Sequence, residues 1–263
     1  MLDIVQNKVA LPQSFYATHG LPDKTSENYA AIPTFRVVHA LEKAGFELTK
    51  ASQKGVRKAK NAGYQMHVAT FRHNSLTGDN TLVPQIALCN SSNGTCAFRL
   101  IAGAYVFACS NGLFFGKEQF ASFGVSHKGQ DLTNRVITAA FEIIYQAQIQ
   151  AQTITEWQSI PMPYARQLDF AYHARALRFE TIKDASGKDI WPVELGDLLY
   201  PRHWEQRQDN LFNIYNRVQE TLLRGGIKSL GQNGKIRNTR PIKSIETDLA
   251  INADLFALAK QFA

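Results

Sequence analysis

No apolar run in this chain approaches the ~20 residues that a membrane span needs, so none is expected. Met1-Leu2-Asp3-Ile4 carries an acid and no basic stretch, which argues against a secretory signal. Cysteine is scarce. Three residues in 263, an odd number, do not make a disulfide framework. They fit a reducing cytoplasm, with Cys89, Cys96 and Cys109 expected as free thiols packed in strands. No C-x2-C pair is present, so zinc is not expected.

Catalytic patterns are missing as well. Asp and Glu are scattered, with no paired carboxylates, no D-x-D and no H-E-x-x-H. Gly112-Leu113-Phe114-Phe115-Gly116 is neither G-x-G-x-x-G nor a P-loop. Cys109 with His127 or His67 as base would make a nucleophile pair, but no local signature supports it, and a core cysteine is the favoured reading. Nuclease, NTPase and protease signatures are absent. The chain is therefore not expected to be an enzyme, and no cofactor or metal is expected.

Hydrophobic residues at 44% and charged residues at 19% supply enough apolar material for a packed core rather than a disordered chain. The length fits one large domain or two small ones. The central stretch, Val83 to Gly129, consists of short apolar runs cut by Ser91-Ser92-Asn93-Gly94 and Ser110-Asn111-Gly112. Asn-Gly between apolar runs signals a hairpin, so this stretch predicts an antiparallel meander. Before it, Thr34 opens a helix with Val37, Val38, Leu41 and Ala44 on one face and Gly45 at its end. Phe46–Ala51 and Tyr64–His73 alternate as strands. After it, period 3.6 takes over. Helices are predicted from Asp131 past Gln150, over Tyr164–Phe179, within Trp191–Trp204, over Asn210–Leu223 and from Ser244 onward. The predicted fold class is α+β: an antiparallel β-meander packed against helices, with a helical C-terminal half. The expected organisation is a loose arm over 1–28 and an α+β core with the sheet and long helix over 29–160. A helical region over 161–263 would carry a basic loop and pack on the core.

The net charge of +7 is unevenly spread. Lys50 to Asn61 holds five basic residues and no acid, and Leu222 to Ile245 holds six basic residues, four glycines and no acid. Either one alone reads as a solvated loop. Together, mixed with Asn, Ser, Gln and Thr, they suit phosphate contacts more than base reading. The candidate nucleic-acid-binding residues are Lys54, Arg57, Lys58, Lys60 and Arg72, with Arg224, Lys228, Lys235, Arg237, Arg240 and Lys243.

Several motifs recur in one order: Tyr29-Ala30-Ala31-Ile32-Pro33-Thr34, Leu88-Cys89-Asn90-Ser91-Ser92-Asn93-Gly94-Thr95, Ala108-Cys109-Ser110-Asn111-Gly112-Leu113 and Val125-Ser126-His127-Lys128-Gly129. Leu223-Arg224-Gly225-Gly226-Ile227 and Arg237–Asp248 complete the set. With its Cys-x-Asn-Gly-Leu and His-x-Gly elements, the chain resembles an uncharacterised family of phages, prophages and plasmids, known only as a domain of unknown function. That resemblance implies a mobile-element protein in a bacterial cytoplasm and carries no catalytic residues. The order helix, strand, basic loop, long strand, meander, long helix also resembles the core of single-strand annealing recombination proteins. Those proteins form rings or filaments on DNA, so this second resemblance implies a homo-oligomer.

The leading expectation is a non-catalytic nucleic-acid-binding protein, with single-stranded DNA favoured and single-strand annealing or recombination as its setting. The alternative is a protein-binding anti-defence inhibitor of a host enzyme.

Overall fold

The computed structural model describes residues 9–25, 29, 31–73, 82–96, 98–106, 111–114 and 132–263. The chain divides into two compact units, residues 1–104 with 118–148 and residues 105–117 with 149–263.

In the first unit, helix α1 (Thr34–Lys43) follows Pro33 and buries Thr34, Val37, Val38 and Leu41. Its apolar residues fall at helical spacing, and the helix stops at Ala44 and Gly45. Strands β1 (Phe46–Gln53), β2 (His67–His73), β3 (Leu82–Asn90) and β4 (Arg99–Val106) then form an antiparallel sheet in sequence order. β1 and β2 pair from Phe46 opposite His73 to Gln53 opposite His67, with an irregularity between Leu48 and Lys50. β2 and β3 pair from His67 opposite Asn90 to Phe71 opposite Ile86.

β2 lies between two neighbours, and residues 67–71 are buried on both faces. The alternation that sequence shows in this strand therefore separates two covered faces, not core from solvent. The expected turn at Ser91–Gly94 lies between β3 and β4, where Asn93 Oδ1 accepts from the Thr95 amide at 3.1 Å and its hydroxyl at 2.6 Å. Cys96 belongs to this connection and not to a strand, a correction to the expectation for that cysteine.

The arm is anchored where it is described. Phe15 is fully buried with its ring centroid 4.4 Å from that of His67. The Ser14 amide donates to Gln53 Oε1 at 3.1 Å, and the Leu21 amide to the Ser92 carbonyl at 2.8 Å. A loose N-terminus is thus corrected for Ser14 to Leu21.

The long helix α2 (Leu132–Glu156) follows, its residues through Gln148 belonging to the first unit. Val136, Ala139, Ala140 and Ile143 are buried at helical spacing. Of the second turn signal, only Asn111 and Gly112 are among the described residues. Asn111 and Gly112 open strand β5 (Asn111–Phe114), which belongs to the second unit. Ser110, Cys109, the Val125–Gly129 motif and the polar stretch 74–80 lie outside the described residues.

The second unit contains α3 (Tyr164–Arg175), a two-strand hairpin β6 (Ile182–Lys183) and β7 (Asp189–Ile190), and α4 (Leu195–Leu199). Next come α5 (Leu211–Arg224), a second hairpin β8 (Lys228–Leu230) and β9 (Ile236–Asn238), and α6 (Ile245–Ala259). Asn210 Oδ1 caps α5 by accepting from the Asn213 amide at 2.9 Å, and Ser244 Oγ caps α6 by accepting from the Thr247 amide at 3.3 Å.

α5 is the centre of this unit, packed against α3, α4 and α6. Every residue from Leu211 to Leu223 is buried, including the polar ones on its predicted outer face. Its longer polar side chains find partners. Gln219 Nε2 donates to Asn252 Oδ1 at 2.6 Å, and Arg217 Nε to the Gln206 carbonyl at 2.7 Å. Gln206 Nε2 donates to Glu220 Oε2 at 3.0 Å. Trp157 packs beside Tyr215 and Phe256 with centroid distances of 5.5 and 5.4 Å.

Candidate functional site

The first basic segment joins β1 to β2. The Lys54 amide donates to the Met66 carbonyl at 2.8 Å, and Lys54, Arg57, Lys58 and Lys60 are all exposed. Lys60 Nζ lies 2.6 Å from Asp23 Oδ2. The hydrogen bond and charge of Lys60 hold the Asp23 carboxyl below its usual range. Arg72 does not join this group. It sits on β2 opposite Glu47, half-buried, at the far end of the β1–β2 pair. It lies five positions along the strand from His67, a distance of about 16 Å.

The second basic segment is not the flexible loop that its glycines imply. It is the β8–β9 hairpin, with Lys228 opposite Asn238, Ser229 opposite Arg237 and Leu230 opposite Ile236. The turn is Gln232-Asn233-Gly234, with Gly234 at φ 71°. Asn233-Gly234 between Leu230 and Ile236 was the sequence signal for it. All three residues of β9 are exposed, and Ile236 is 66% exposed. Lys228, Lys235, Arg237, Arg240 and Lys243 all face solvent. Arg224 is tied down, with Nη1 3.5 Å from Glu220 Oε1.

An isolated two-stranded hairpin is marginal in water, so its root must be held. The Gly226 amide donates to the Thr239 carbonyl at 2.9 Å and the Ile242 amide to the Leu223 carbonyl at 2.7 Å. The Leu230 amide donates to the Pro192 carbonyl at 2.8 Å. Arg178 donates to the carbonyls of Leu222 and Arg240, and Arg202 to that of Gly225. Burial lowers the pKa of Arg178, whose head is spent on these carbonyls. At Gly225 (φ 66°) a Cβ would lie 2.7 Å from the Thr239 carbonyl oxygen and 2.8 Å from that of Arg240. Only glycine lets the helix end and the hairpin begin at that approach.

The first unit also holds a buried polar cluster that sequence reasoning missed. His67 Nδ1 lies 3.0 Å from the Gln65 carbonyl, which can only accept, so Nδ1 carries the proton and Nε2 accepts. Thr34 Oγ1 lies 2.8 Å from Nε2 and donates to it, while Asn90 Nδ2 donates to Thr34 Oγ1 at 2.9 Å. Burial lowers the His67 pKa to about 4, against a smaller opposite effect of the Gln65 hydrogen bond. A base-paired hydroxyl resembles an activated nucleophile, but Thr34, His67 and Asn90 are all buried. The cluster therefore holds α1, β2 and β3 together. His67 is committed to Thr34, and the alternative base His127 lies outside the described residues.

Among the described residues no group of three or more His, Cys, Asp or Glu side chains is placed to hold a metal ion. Among them no helix is long and apolar enough to cross a membrane. Cys89 and Cys96 are buried and not joined in a disulfide.

What the fold defines is an α+β protein with two exposed cationic segments, one in each unit. The chain belongs to the DUF932 family, a domain of unknown function, which matches residues 23–256. It is similar to two Escherichia coli K12 proteins, UPF0380 protein YfjQ and UPF0380 protein YafZ. Each is 31% identical over 239 residues, covering 90% of this chain and 84% of the relative. No solved structure matches the chain.

Proposed function

We propose that this protein binds single-stranded DNA through its phosphates, without catalysis, as part of a phage, prophage or plasmid in a bacterial cytoplasm. Single-strand annealing or recombination is the setting that fits best. The observation that carries the reading is the β8–β9 hairpin, which offers five exposed cations and no acid between Lys228 and Lys243. A strand with all its residues in water contributes little to a core and is free to lie along a polyanion. Lys54, Arg57 and Lys58 offer a second, smaller surface of the same kind on the first unit.

The reading includes self-association. β1 ends the sheet order, and an uncovered sheet edge is a ready pairing surface. Light scattering with and without oligonucleotide tests this, and a monomer in both conditions would remove the annealing setting while leaving plain binding.

The main experiment is an electrophoretic shift on single- and double-stranded DNA at ~50 and 200 mM salt. Phosphate binding weakens steeply across that range. No shift at either salt would favour the alternative, a protein-binding inhibitor of a host enzyme.

A further inference from the structure

The turn that precedes α5 carries two large aromatic side chains into solvent, Trp204 at 74% exposed and Tyr200 at 70%. Tryptophan is seldom left so open, because its exposure forgoes the largest apolar burial available to a side chain. Arg207 lies over the Trp204 ring with its guanidinium carbon 4.4 Å from the centroid.

This turn is fixed beside the root of the basic hairpin at two points. Arg202 donates to the Gly225 carbonyl. Glu220 Oε1 lies 3.1 Å from His203 Nε2 and 3.5 Å from Arg224 Nη1, so one buried carboxylate joins the turn to the last residue of α5. Between Arg202 and Lys228 in the chain the acids are Glu205, Asp209 and Glu220, of which Glu220 is turned inward and Asp209 is paired with Arg217.

We infer that Trp204, with Tyr200 beside it in the chain, is a stacking platform for the bases of single-stranded DNA. Arg207 and the hairpin cations would hold the adjoining phosphates. The inference rests on the nucleic-acid reading above and adds to it how unpaired bases are engaged. An exposed indole bearing a guanidinium, in a turn fixed to the root of a cationic hairpin, matches a ligand with flat π-faces spaced along a polyanion. Such stacking tolerates any sequence and requires that the bases be unpaired.

The test uses the full chain and two labelled oligomers of equal length, oligothymidine and an abasic deoxyribose-phosphate strand, followed by fluorescence anisotropy at several salt concentrations. The parent should bind oligothymidine about tenfold or more tighter than the abasic strand, the effect of stacking one base. Trp204→Ala should remove most of that difference with an unchanged salt slope, and Trp204→Phe should keep most of it, with both variants matching the parent by circular dichroism. Equal parent affinity for the two strands, or a Trp204→Ala variant that binds oligothymidine like the parent, overturns stacking while phosphate binding stands. A parent that binds neither strand overturns both.

Discussion

Thr34 gives its hydroxyl hydrogen to Nε2 of His67 across 2.8 Å, tying the first residue of α1 to the first residue of β2. Both groups are buried, and the same hydroxyl oxygen accepts from Asn90 on β3. One hydroxyl, through two hydrogen bonds, therefore locates a helix on two strands.

Removing that hydroxyl leaves His67 Nε2 without a donor in a dry site. Thr34→Val is expected to cost about 2 kcal/mol, the usual penalty for a stranded buried polar group. Urea denaturation at pH 7.5 measures it, and a loss under ~0.5 kcal/mol would mean the hydrogen bond is dispensable.

The same histidine predicts an acid-sensitive window. Its folded pKa of about 4 lies below the unfolded value of 6.5. The unfolded chain therefore takes up the proton first as pH falls. The His67 contribution is intact above about pH 6.5, declines between 6.5 and 4, and levels off below. The loss should reach about 3 kcal/mol at 1.36 kcal/mol per pKa unit. His67→Gln should flatten stability across this window relative to the parent. An equally steep decline in that variant would place the acid sensitivity in another group.

At Gly225 a methyl group has nowhere to go, since the oxygens it would meet belong to the backbone of Thr239 and Arg240. Gly225→Ala should lower stability by more than ~1 kcal/mol, through strain at positive φ and displacement of the hairpin root. Thermal melting checks it. A variant that melts with the parent would mean that the root is looser than these distances describe.

Cys89 and Cys96 are buried, and Cys96 Sγ accepts from Arg99 Nη2 at 3.4 Å. A thiol reagent should label these two positions only once denaturant unfolds the chain, as read by peptide mapping. Rapid labelling of either in the native protein would contradict their packing. Elemental analysis is expected to find no stoichiometric zinc.

The cationic segments predict a salt signature. Replacing Lys235, Arg237, Arg240 and Lys243 by Ala should weaken binding to all single-stranded sequences alike. The slope of log affinity against log salt should become shallower by roughly 0.7 for each phosphate no longer engaged. The matching Lys54, Arg57, Lys58 and Lys60 variant should show a smaller change, because Lys60 is already paired with Asp23. Neither should alter stability by more than about 0.5 kcal/mol, since the residues are exposed. Unchanged affinity and slope in both would sink the nucleic-acid reading.

Sequence alone determined the elements whose signals are local. Pro33-Thr34 and Gly45 bound α1, Asn210 and Gly225 bound α5, Ser244 opens α6, and the switch from period 2 to period 3.6 after Gly129 divides sheet from helices. It also placed the exposed cations of both basic segments, because charges in a run without an acid to pair with have little reason to be buried. Tertiary structure decided what depends on partners far along the chain. Asn213, Asn216, Arg217, Gln219 and Glu220 lie off the apolar face by spacing, yet the neighbouring helices bury them, with Gln219 bonded to Asn252 on α6 and Arg217 and Glu220 bonded to Gln206 in the turn before α5. Arg72 belongs with Lys54 by charge and is carried to the other end of the strand pair by register. His67 carries no signal in a chain that also has Thr34 and Asn90, because its role exists only once 33 residues on one side and 23 on the other have folded back to meet it.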